Sequence, residues 1–165
     1  MALFSNDEES ISEELLKKSK DASASAQEVV INGNDADSND PDKDVYNKRG
    51  LAYLEVNGIK ANDAIDILGS KDAFVSRLKD FASLAKTKYG NLMESKATMN
   101  MEKYSIDSGI LKKECNYLGI EKLFIMAKTH EQKSRLGDTN YVIENFKEYE
   151  DEIMRIIKLV DEYLA

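Results

Sequence analysis

Between Met101 and Leu118 a stripe of small and polar residues, Ser105, Gly109, Lys112 and Asn116, recurs at steps of four, three and four. That spacing keeps the four on one face of an α-helix, and a face so polar meets solvent or a partner. A glycine in mid-helix costs about 1 kcal/mol relative to alanine, so a bare surface there suits the close approach of another helix or loop. The chain's other chemical candidates are its single histidine, His130, and its single cysteine, Cys115. His130 shares a stripe with Leu123, Met126, Ala127 and Ser134, where a lone histidine is expected as a satisfied core residue rather than a nucleophile. One histidine and one cysteine supply no ligand cluster, so no metal site and no cofactor are expected. Cys115 has no partner for an internal disulfide, which fits a reducing compartment.

The elements that position these residues are legible as helices. Met101, Tyr104, Ser108, Leu111, Cys115 and Leu118 alternate at three and four and predict the core face of a helix from Asn100 to Gly119. A second helix is predicted from Lys71 to about Ser95, capped by Ser70, with Phe74, Leu78, Phe81, Ala85 and Leu92 inward and Lys79, Lys86 and Lys88 away from that stripe. Another runs from Ile120 to Ser134. The last, capped by Asn140 or Thr139, keeps Val142, Phe146, Tyr149, Ile153, Ile156, Val160 and Leu164 on one face. Ahead of these, Leu51, Leu54 and Val56 are expected to pack on the domain before an Asn57-Gly58 turn. A short helix capped by Asn62 or Asp63 then ends at Gly69. Four long helices joined by short loops predict an all-α antiparallel four-helix bundle with a short leading helix.

The net charge of −8 is unevenly spread. Residues 1–44 carry 12 Asp and Glu against 4 Lys, whereas residues 45–165 carry 19 acidic against 19 basic side chains. The first stretch is rich in Asp, Ser, Ala and Asn and holds the only proline, Pro41. It is expected to be a disordered acidic tail, interrupted by one weak helical segment, Ile11 to Lys18, and the triplet Val29 to Ile31. The domain boundary is therefore placed between residues 44 and 45. Neither part offers the basic footprint that nucleic acid requires. There is no apolar run of membrane-spanning length, and MALFSNDEES has neither the basic start nor the apolar stretch of a secretory signal, so a cytoplasmic protein is expected.

Leu111-Lys112, followed by Leu118-Gly119 and a restart at Leu123, resembles the pattern His-x-Leu-Lys-Gly/Ser-x-x-x-x-Ile/Leu-Gly-Ala-x-x-Leu of the histidine phosphotransfer (HPt) family. Ala127, Lys128, His130, Glu131, Gly137 and Asp138 resemble the family's later Ala-Lys-x-Leu-Glu and Gly-Asp, with His130 where the family has leucine. The likeness covers roughly residues 58–164. It implies a four-helix bundle on which a surface histidine exchanges a phosphoryl group with the aspartate of a response-regulator receiver domain. It also implies that Lys112, one turn on, meets the partner's acidic pocket. The phosphoacceptor position falls on Gly109, and Lys113 stands where the family has glycine or serine.

The resemblance thus implies a phosphorelay protein with a docking face and no nucleophile. It would bind a receiver through Ser105, Gly109, Lys112, Lys113 and Asn116 without transferring phosphate. An active module with its acceptor elsewhere, and a helical interaction module unrelated to phosphorelay, are the alternatives.

Overall fold

A computed structural model describes residues 49–165, and the expectations for the tail and for residues 45–48 lie outside them. Six helices follow in order: α1 Leu51–Val56, α2 Ala61–Leu68, α3 Lys71–Ala97, α4 Met101–Leu118, α5 Glu121–Arg135 and α6 Thr139–Leu164. Among the described residues the only β feature is an isolated bridge between Ile59 and Ile120. The domain is an all-α helical bundle. α3 packs on α4 and α6, α5 packs on the same two, and α2 lies against α3 and α4. No described helix is long and apolar enough to cross a membrane.

Local sequence explains most of the ends. The Ser70 side chain accepts from the Ala73 amide at 3.1 Å and starts α3, and Asn100 does the same for Lys103 at the head of α4. Gly69 ends α2 in the left-handed region at φ 90°. Two of the expected caps are different residues. Asp138, not Thr139 or Asn140, caps α6 by accepting from the Tyr141 amide at 3.1 Å. Neither Asn62 nor Asp63 caps α2, which follows Lys60 without a side-chain cap. There the Glu55 carboxylate of α1 accepts from both the backbone and the side chain of Asn62.

The core is one cluster fed by every helix, from Leu54 through Phe74, Leu78 and Leu111 to Ile153 and Val160. α6 contributes most, with Phe146, Tyr149, Ile156 and Tyr163 among its buried side chains. Each fully buried aliphatic or Phe side chain stabilises the fold by about 1.5–3 kcal/mol. Val56 departs from expectation: it is 82% exposed, because the short α1 offers the core only Leu54 fully and Leu51 and Tyr53 in part. Polar ties hold the leading segment to α6. The Tyr53 hydroxyl donates to Glu162 at 2.6 Å, and Arg155 reaches the Asn57 carbonyl at 3.1 Å.

Lys88 also departs from its expected place away from the inward stripe, since it falls between Ala85 and Leu92 at helical spacing. Its ammonium is drawn between α3 and α4 to meet Asp107 at 2.8 Å, and both side chains are largely buried. The second carboxylate oxygen of Asp107 is buried without a hydrogen-bond partner. Such a pair is costly to assemble and costlier to break on one side only, so it favours one alignment of the two helices.

Candidate functional site

The candidate face is built on α4. Gly119 ends this helix at φ 69°, and a Cβ there would stand 2.6 Å from the Lys60 carbonyl oxygen, so only glycine fits. The Lys60 amide in turn donates to the Gly119 carbonyl at 2.9 Å, fixing the end of α4 to the α1–α2 connection. With the helix so held, Tyr104, Ser108, Leu111, Cys115 and Leu118 turn inward as their spacing predicts, and all are buried.

About a quarter-turn round the helix from these lies the expected stripe. Ser105, Gly109, Lys112 and Asn116 are half-buried and Lys113 is exposed. They do not form a bare surface, because α5 leans onto it. The Glu131 side chain covers Gly109 so closely that a Cβ at 109 would lie 2.9 Å from Oε1 and 3.3 Å from Cδ. Lys112 is bound into the α4–α5 seam, its Nζ 2.7 Å from Glu131 Oε2, while Arg135 takes Oε1 at 2.6 Å. Of the two adjacent lysines, Lys113 is the one presented to solvent. The Ser105 hydroxyl is engaged with the Glu102 carbonyl at 2.8 Å.

Two members of this face do not belong to the polar stripe. Ile106 is 57% exposed and Tyr117 is 39% exposed. At helical periodicity Ile106, Gly109, Lys113 and Tyr117 share the outward side of α4. Arg77 of α3 stacks its guanidinium 4.2 Å from the Tyr117 ring centre and binds Glu114 through two nitrogens at 3.1 and 3.0 Å, which steadies the ring at the edge of the face. The sequence signal for both residues is that they are large and apolar yet fall outside the 104-108-111-115-118 register.

His130 lies in the core, 2% exposed. Its Nδ1 is 2.8 Å from the Tyr104 hydroxyl, its ring stacks on Tyr149 at 4.2 Å, and Tyr141 meets it edge-on at 5.5 Å. Burial pushes its pKa down to about 4, against a smaller upward pull from the backbone of Asn145, so the imidazole is neutral at physiological pH. So enclosed, it cannot meet a partner's phosphoryl group. Burial likewise pushes the Cys115 thiol well up, keeping it protonated. Among the described residues no group of three His, Cys, Asp or Glu side chains is placed to hold a metal ion.

A groove of about 550 Å³ lies elsewhere, between α3 and α6, lined by Lys86, Tyr89, Met154, Ile157 and Lys158. It brings together no nucleophile or base that the sequence had marked. The α4 face, by contrast, joins a glycine, exposed apolar side chains and a cluster of charges, an arrangement suited to contact. Comparison with protein-family models, with curated proteins and with solved structures finds no match.

Proposed function

We propose that α3 to α6 form an antiparallel four-helix bundle of HPt type, and that the protein is a cytoplasmic, non-phosphorylatable member of a two-component phosphorelay. It acts by binding a response-regulator receiver domain through the outer face of α4. Connections of two or three residues between successive long helices leave no length for a crossover, which supports the antiparallel order. The observation that carries the reading is the pair Ile106 and Tyr117, exposed on either side of Gly109. Ile106 lies one turn before and Tyr117 about two turns after the family's acceptor position, which is covered by the Glu131 carboxylate, and glycine there leaves no side chain to phosphorylate.

Exposed aromatic and aliphatic side chains around a small residue are what an interface core needs, while a nearby cation guides a partner with an acidic pocket. The test is calorimetric titration with purified receiver domains in the presence of Mg²⁺, comparing the wild type with Ile106→Asp. Because Ile106 is largely in solvent, the variant should keep its helical circular dichroism and melting temperature, yet bind at least about tenfold more weakly. Equal affinity of the two proteins would remove this face from the interface. Failure of every receiver to bind either protein would favour an interaction module outside phosphorelay.

A further inference from the structure

Glu131 reaches from α5 onto the outer face of α4, and its carboxylate lies where a side chain at position 109 would begin, 2.9 Å from the place of a Cβ. Its two oxygens are held separately, Oε2 by Lys112 of α4 at 2.7 Å and Oε1 by Arg135 of α5 at 2.6 Å. Two cations from two helices converging on one anion form an oxyanion cradle. The cradle is anchored on one side and open on the other, since the Lys112 and Glu131 side chains are 13% and 9% exposed and that of Arg135 is 67% exposed.

We infer that Glu131 is a built-in anion that fills this cradle, and that by neutralising one of its two cations it removes much of the attraction the α4 face would otherwise have for a partner bringing negative charge to Gly109. The inference rests on the reading of this face as a receiver-docking surface, and it names what Glu131 takes away there: a preference for the phosphorylated receiver. A phosphoryl group on the receiver's aspartate would add negative charge opposite position 109. At a separation of about 6 Å and a partly screened dielectric, one such like-charge contact weakens binding roughly tenfold. Lys112 and Arg135 keep their own charges, so the cluster carries a net +1 and the tenfold is the difference that Glu131 makes to it.

Glu131→Gln keeps the side chain's shape and removes its charge. Titrated with a receiver carrying beryllofluoride as the phosphoryl mimic, this variant should bind roughly tenfold more tightly than the wild type, with at most about threefold change for the unmodified receiver. Lys112→Ala in the Glu131→Gln background should abolish the gain. An equal change for both receiver states, or none, overturns this role of Glu131. The cradle is tested without any receiver, by titrating labelled Glu131→Ala with sodium acetate and with inorganic phosphate while following the amides of Gly109, Lys112 and Arg135. Saturable shifts are expected in this variant, and none in the wild type or in Glu131→Ala with Lys112→Ala. A folded Glu131→Ala that shows no saturable shift overturns the built-in anion. Saturable acetate binding with silence from every receiver instead places the failure in the receiver reading and leaves the cradle standing.

Discussion

Lowering the pH from 7 to 4 should cost this protein about 3 kcal/mol of stability through His130 alone. The imidazole is 2% exposed, packed against Tyr104 of α4 and Tyr141 and Tyr149 of α6, and its pKa falls from 6.5 to about 4 on folding. Between those two values the unfolded chain binds a proton that the folded one refuses. Stability is therefore fully present above about pH 6.5 and is lost as the pH falls toward 4. A shift of that size, at 1.36 kcal/mol per unit, gives about 3 kcal/mol at pH 4. Carboxylates titrate over the same range, so the comparison is with His130→Gln, which is neutral throughout and can still meet the Tyr104 hydroxyl. Urea unfolding followed by far-ultraviolet circular dichroism, in half-unit steps from pH 7.5 to 4, yields the difference between the two proteins. The wild type should lose about 3 kcal/mol relative to the variant, most of it below pH 6. Parallel profiles would mean that the imidazole already reaches water or a counter-charge in the folded state, and the buried assignment would be refuted.

Gly109→Ala should be close to neutral for stability in the wild type, because the gain of about 1 kcal/mol in helix propensity is offset by displacing Glu131 from a 2.9 Å contact. In a Glu131→Ala background the same substitution should stabilise by about 1 kcal/mol, and equal effects in the two backgrounds on urea unfolding would disprove the contact. Lys88→Met should cost about 3–5 kcal/mol by stranding the buried Asp107 carboxylate. Adding Asp107→Leu should recover most of that loss, and no recovery would show that the pair matters for something other than its charge.

The parts of the fold that read directly from the sequence are those decided within one helix. The inward register of α4, the Ser70 cap and the stops at Gly69 and Gly119 depend on neighbours three or four residues away, and each stands where its spacing puts it. His130 was legible for the same reason: its place on the Leu123, Ala127 and Ser134 stripe commits it to the core. The caps of α2 and α6 were harder: at α6 the adjacent Asp138, Thr139 and Asn140 are chemically equivalent candidates until the backbone selects one, whereas α2 follows Lys60 without a side-chain cap and Asn62 is drawn to Glu55 instead. What lay beyond reach is decided between helices. Nothing in α4 announces that Glu131 of α5 will cover Gly109, or that Lys112 will turn into the seam while Lys113 stays outside. Lys88 is read as standing away from the inward stripe of α3, although it falls three residues after Ala85 and four before Leu92; the spacing puts it inward and Asp107 supplies the counter-charge. The stripe thus lies together on one side of α4 as its spacing predicts, while its surroundings are set by the neighbouring helix.

The most direct test of the receiver-docking account is an NMR titration of the labelled protein with unlabelled receiver domains from its own organism. The account predicts amide shifts confined to Ser105, Ile106, Gly109, Lys112, Lys113, Asn116 and Tyr117. Absence of shifts with every receiver would contradict it, and so would shifts centred on Tyr89 and Ile157 in the groove between α3 and α6.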